Sequence, residues 1–182
     1  MQPAQGNCPA PRRRDPLTLI TPRPWHGKPT GSHVVLGARL NQDPRIMATA
    51  ASFTDRLGAS LICVWVDPQR VVVERGPNGA VVALPLEAHR RDEEQTVSSE
   101  QWLAARLENA LDGHPVPWRF VYTAGDPAQQ LHLLAEELDA VAIALGTRDP
   151  GFRAWATEKA IGSVAEHLAR HQHRPVILFP SP

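Results

Sequence analysis

Apolar residues fall along this chain in short, nearly continuous runs, separated by longer stretches in which they recur every three or four positions. The runs are His33–Ala38, Ala59–Val66, Trp118–Thr123, Ala140–Leu145 and Pro175–Phe179. A short continuous apolar run bounded by Gly, Pro or Asp predicts a strand covered on both faces, as in a parallel sheet. The stretches between them read as helices. Asp43-Pro44 supplies an N-cap and a first-position proline, Ile46, Ala50, Phe53 and Leu57 follow on one face, and Gly58 ends the helix. Ser98 and Gln101 fit a capping box before Leu103, Leu107, Ala110 and Leu111, while Trp102, Arg106 and Asn109 share another side of that helix. Gly125-Asp126-Pro127 is a turn and cap for a third helix that buries Leu131, Leu134, Ala135 and Leu138. Gly162-Ser163 opens a fourth, with Val164, Ala165, Leu168 and Ala169 on one face.

This alternation predicts an α/β fold: a five-stranded, parallel, open Rossmann-like sheet with helices on both faces and right-handed crossovers. Ligands bind such sheets outside the carboxyl ends of the strands, where strand order reverses. If the first strand lies beside the fourth, that crevice gathers the residues after Ala38, Val66 and Leu145. The stretch Ala140 to His171 organises the chain: an apolar strand, the loop Gly146-Thr147-Arg148-Asp149-Pro150-Gly151, then a helix from Gly162-Ser163. Small residues before a helix N-terminus, with its outward N–H groups, make a seat for an anion. The same pattern also serves an ordinary βα connection.

Two stretches break the alternation. From Asp67 to Val97, Arg70–Glu74 and Ala80–Leu84 flank Gly76-Pro77-Asn78-Gly79, which predicts a β-hairpin insertion. A charged loop, Arg90-Arg91-Asp92-Glu93-Glu94, follows as a solvated face. Residues 1–32 carry Pro3, Pro9, Pro11, Pro16, Pro22, Pro24 and Pro29 with Arg12-Arg13-Arg14, which predicts an extended or disordered, flexible arm. Trp25 is its residue placed to dock on the domain, residues 33–182, or on a neighbouring chain.

Composition narrows the class. The 182 residues suit one α/β domain plus the arm. Lys+Arg and Asp+Glu balance at 19 each, so no global basic field points to nucleic acid or an acidic membrane surface. No run has the apolar length of a membrane span, and Leu17-Thr18-Leu19-Ile20 is too short for a signal-peptide core, so a cytoplasmic protein is expected. Cys8 and Cys63 make no disulfide framework, and Cys63 reads as a small core residue. His167, His171 and His173 have a spacing that can hold a metal, but no Cys or carboxylate completes the set, and His near a helix C-terminus is favoured by the dipole. No nucleophile elbow, Walker loop or Cys–His pair is visible, and a non-enzyme without catalytic or metal-ligating residues is expected.

Four pieces in order carry a resemblance: His33-Val34-Val35-Leu36-Gly37-Ala38 with the helix ending Arg56-Leu57-Gly58-Ala59; the strand ending Val64-Trp65-Val66-Asp67; Gly125-Asp126-Pro127-Ala128; and Ala142–Arg148 with Gly162–Leu168 and Arg174–Pro180. Over His33 to Pro180 the chain resembles the universal stress protein family, adenine-nucleotide-related α/β domains. The resemblance implies a stress-related sensor or regulatory domain that binds ATP, another adenine nucleotide or another phosphorylated small molecule, weakly or in an altered way. ATP-binding members carry an Asp at the end of the first strand and a Gly-x2-Gly-x9-Gly-Ser/Thr loop after the fourth.

Carried over by position, the implied binding set is Arg39, Trp65, Gly146, Arg148, Gly151, Gly162, Ser163 and Val164. Arg39 stands where the family has Asp, Asp149 occupies the second glycine position with Gly151 displaced by two, and the spacing to Gly162 is longer than the pattern. Arg39 cannot accept the hydrogen bonds a carboxylate takes from a ribose. Asp149 repels a phosphate by about a kcal/mol or more. Trp65, at the position facing an adenine, either stacks on a base or fills the pocket. Arg39, Arg148, Arg153 and Lys159 either converge on an anion or are solvated and paired with Asp149 and Glu158. The alternative is a dimeric interaction module of the same fold that has lost its ligand. The family's dimer contact implies a homodimer through Val176–Phe179, and an unidentified protein partner stays open.

Overall fold

Every residue from Ser60 to Asp67 is buried, as an unbroken apolar run requires when helices cover both sides of its strand. The computed structural model describes residues 18–86, 93–147 and 163–181. Its elements run β1 (Thr18–Ile20), β2 (His33–Ala38), α1 (Pro44–Arg56), β3 (Ser60–Asp67), β4 (Arg70–Arg75), β5 (Val81–Pro85), α2 (Glu93–Leu111), β6 (Trp118–Ala124), α3 (Pro127–Glu137), β7 (Ala142–Gly146), α4 (Ser163–His171) and β8 (Val176–Phe179).

The main sheet is parallel, in the order β6-β3-β2-β7-β8. From β2 the chain builds outward through β3 to β6, then returns to place β7 on the other flank of β2. Strand order therefore reverses between β2 and β7, which pair from Val34↔Ala142 to Gly37↔Leu145. Alternating strand residues feed two cores. Leu36, Cys63, Trp65 and Tyr122 pack with Met47 of α1 and Leu103 and Leu107 of α2. Val35, Ile62, Val64 and Ile143 pack with Leu131 and Ala135 of α3 and Leu168 of α4.

The hairpin forms as its Asn-Gly predicts. Asn78 and Gly79 both have positive φ, 62° and 78°, and the Ala80 N–H donates to the Pro77 carbonyl at 3.3 Å. Positive φ at both central residues is the requirement of a type I′ turn, whose twist matches the flanking strands. The hairpin gains a third strand, since β1 pairs antiparallel with β5 to complete a small sheet β1-β5-β4.

Two expectations change. The helix expected from Ser98 begins at Glu93, so Ser98 lies inside it and part of the charged stretch is helical. Tertiary partners extend it. Thr96 is buried and accepts from Arg70 Nη1 at 3.3 Å, and buried Glu100 takes both nitrogens offered by Arg23, at 2.9 and 2.7 Å. The second difference is the arm. Residues 18–32 are extended, but they are docked. The Arg23 N–H donates to the Phe120 carbonyl, His26 and Trp118 exchange two backbone hydrogen bonds, and the His26 ring stacks on Trp118 at 4.1 Å. Trp25 lies beneath the Arg119 guanidinium at 5.1 Å. β6 is an edge strand of the main sheet, and the arm pairs backbone groups that the edge leaves open. Residues 1–17, with Cys8 and Arg12–Arg14, and Arg90, Arg91 and Asp92 lie outside the described residues.

Among the described residues no helix is long and apolar enough to cross a membrane. His167 and His171 lie exposed on α4 with ring centroids 4.4 Å apart. No group of three or more His, Cys, Asp or Glu arranged to hold a metal occurs among the described residues.

Candidate functional site

The switch point between β2 and β7 is built by the loop that joins β2 to α1. Asp43 caps α1 by accepting from the Arg45 N–H at 2.9 Å. The Arg45 guanidinium, bonded to the same carboxylate, holds the Asp43 carboxyl below its ordinary value. Gln42 closes the loop. Its N–H donates to the Arg39 carbonyl at 3.1 Å, its Oε1 accepts from the Arg39 N–H at 3.0 Å, and its carbonyl accepts from Arg106 Nη2 of α2 at 2.9 Å. Only 2% of Gln42 is exposed.

Across the crevice, Gly146 ends β7 under the start of α1. A Cβ on Gly146 would stand 2.8 Å from Ile46 Cδ1, 3.0 Å from Ile46 Cγ2 and 3.2 Å from Gln42 Nε2. The missing side chain is what lets the two loops meet. Arg39 then reaches over the end of β7, with Nη2 3.5 Å from the Gly146 carbonyl and 3.4 Å from that of Thr147. Thr147 is fixed from the other side: its N–H donates to the Phe179 carbonyl at 2.9 Å, and its Oγ1 accepts from the Ser181 N–H at 3.2 Å. The described floor of the crevice thus holds a guanidinium beside two backbone carbonyls at the position where the family pattern has a carboxylate.

The structure brings together Arg39 and Gly146 from the expected set. Trp65 is aligned with Ala38, but it is 4% exposed and meets the Tyr122 ring edge-on at 5.3 Å. Of its two readings, the structure gives the filling one: the indole packs in the core on the α1/α2 side. Ser163 starts α4 and is exposed, and Val164 is half-buried beside the α3/α4 core. Arg148, Gly151 and Gly162 lie outside the described residues, as do Asp149, Arg153, Glu158 and Lys159. Gln42, Thr147 and Ser181 are structural partners that spacing did not mark. Only the position of Gln42, directly before the Asp43-Pro44 cap, hinted at a fixed loop. A separate cavity of about 450 Å³ opens between β4 and the start of α3, lined by Arg70, Val71, Val72, Gly125 and Gln130 among others.

The chain is similar to a universal stress protein crystallised in complex with cAMP, at 18% identity and TM-score 0.52 over 83% of this chain and 98% of that one. It is similar to the universal stress protein of Archaeoglobus fulgidus in complex with dAMP, at 19% identity and TM-score 0.50 over 81% and 96%. A universal stress family protein from Burkholderia pseudomallei aligns at 17% identity and TM-score 0.54 over 82% and 96%. At these identities the likeness speaks for the fold alone. No curated protein matches the sequence significantly. The family model for universal stress proteins matches residues 32–180. Because that match runs from the end of the arm through the last strand, the chain belongs to the universal stress protein family.

Proposed function

We propose that this universal stress protein is a regulatory domain that binds an adenine nucleotide or another phosphorylated small molecule in the β2/β7 crevice, gripping its anionic part. The observation that carries this reading is Arg39 at the switch point, beside the carbonyls of Gly146 and Thr147. A guanidinium there sets a positive charge at the mouth of the crevice, which favours an anionic group, and it has no acceptor for a ribose hydroxyl. The similar structures holding cAMP and dAMP support an adenine nucleotide as the first ligand to try. The protein acts by binding, not by turnover.

A second reading has its own observation. β8 is the outer strand of the main sheet, with Leu178 36% exposed and Val176 and Ile177 half-buried. An apolar edge of this kind favours a homodimer, with or without a ligand.

Calorimetry with ATP, AMP and cyclic AMP separates the two. Saturable binding that weakens about tenfold in Arg39→Ala, the loss of one charge-assisted contact, supports the ligand site. A flat response across the panel, with a dimer that Leu178→Glu dissociates, favours the interaction module.

A further inference from the structure

Trp102 is the exposed tryptophan among the described residues. It keeps 47% of its surface open, whereas Trp65 and Trp118 are buried and Trp25 is half-buried. Its place in the fold links it to the crevice. The Arg106 guanidinium lies over the indole at 4.7 Å and also donates to the Gln42 carbonyl at 2.9 Å. Gln42 in turn holds Arg39. The α2 helix ends just before β6 begins at the amino end of the sheet, so it runs against the strands. Trp102, four residues before Arg106, therefore stands about 6 Å nearer the carboxyl ends where the crevice opens.

The indole has the chemistry of a stacking wall. A cation already lies over it, and the remaining open surface suits a planar, electron-poor ring. Two buried donors at the same corner, Arg106 Nε and Gln42 Nε2, have no acceptor among the described residues. We infer that Trp102 is a stacking platform for an aromatic base, set in place by Arg106, and that the crevice accordingly takes base-bearing nucleotides in preference to sugar phosphates or polyphosphate. This rests on the crevice being a ligand site, as proposed above.

The test uses the full chain, as wild type, Trp102→Ala and Trp102→Phe, titrated with AMP, ATP, ribose 5-phosphate and tripolyphosphate. Base stacking on an aromatic side chain predicts that Trp102→Ala weakens AMP and ATP about tenfold while Trp102→Phe keeps most of the affinity. The two base-free ligands bind all three proteins alike, and more weakly than ATP. AMP quenches indole emission in the wild type and less so in Trp102→Phe. Thermal melts confirm that each variant is folded, as expected for an exposed side chain. If Trp102→Ala binds AMP as the wild type does, or if tripolyphosphate matches ATP on the wild type, the platform is overturned while the ligand site stands. If the wild type binds none of the four, the ligand site itself falls, and the platform with it.

Discussion

The guanidinium of Arg39 lies 3.5 Å from the carbonyl oxygen of Gly146, a residue 107 positions away in the chain. The contact joins the ends of two strands that chain order separates and sheet order makes neighbours. It exists because Gly146 leaves no Cβ between β7 and the first turn of α1. Gly146→Ala should therefore lower stability by about 1–2 kcal/mol through overpacking. Ile46 Cδ1 can swing aside, but Cγ2 is carried on the branched Cβ, and the Gln42 amide is held through its Oε1 by the Arg39 N–H. Urea unfolding measures this, and an unchanged midpoint would show that the start of α1 yields freely.

The ion pair between Arg23 and Glu100 should be asymmetric under truncation. The Glu100 side chain is 8% exposed and that of Arg23 37%. Arg23→Ala leaves a buried carboxylate without its partner, at about 2 kcal/mol, whereas Glu100→Ala releases a guanidinium that water can solvate, at about 1 kcal/mol. A double-mutant cycle in urea checks both values. Equal losses would mean that Glu100 finds water as readily as Arg23 does.

At the tip of the hairpin, Gly79→Ala should cost about 1 kcal/mol, because φ is +78° there and L side chains disfavour that region. The added Cβ would also meet Pro22 Cγ of the arm at 3.3 Å. Hydrogen exchange should show faster opening of β4 and β5, with β2 and β3 unchanged.

Stability should fall on the alkaline side. Burial raises the Cys63 thiol above its ordinary 9.0. Burial, then the charge of Asp67, raises the Tyr122 hydroxyl above its ordinary 10.0. Both stay protonated in the fold while the unfolded chain releases its protons. Above those ordinary values the unfolded state binds fewer protons, so stability is complete below them and declines as pH rises. The slope approaches about 1.4 kcal/mol per pH unit for each group. Unfolding midpoints at pH 7, 9.5 and 10.5 test this, and Cys63→Ala should flatten the first part of the decline.

Much of the scaffold was legible because its signals are local. Asp43-Pro44 and Asp126-Pro127 cap their helices as expected, Asn78-Gly79 turns the hairpin, and the unbroken run around Cys63 becomes a strand covered on both faces. The start of α2 was misread because its determinants, Arg70 beside Thr96 and Arg23 beside Glu100, come from elsewhere in the chain. Proline content likewise described the local stiffness of residues 18–32 but not the open edge of β6 that receives them. Trp65 illustrates the same limit at the site, since strand position set its depth and only packing against Tyr122 set where its ring went.

Periodicity, caps and glycines by themselves determined the class of fold, the family pattern and the presence of Arg39 where a carboxylate is usual, because each depends on residues close together in sequence. Which strands became neighbours, that Gly146 admits α1, that Trp65 is core and that Trp102 faces outward beside Arg106 were decided by tertiary structure. Those outcomes depend on volumes and hydrogen bonds shared between distant segments, and no local pattern encodes them.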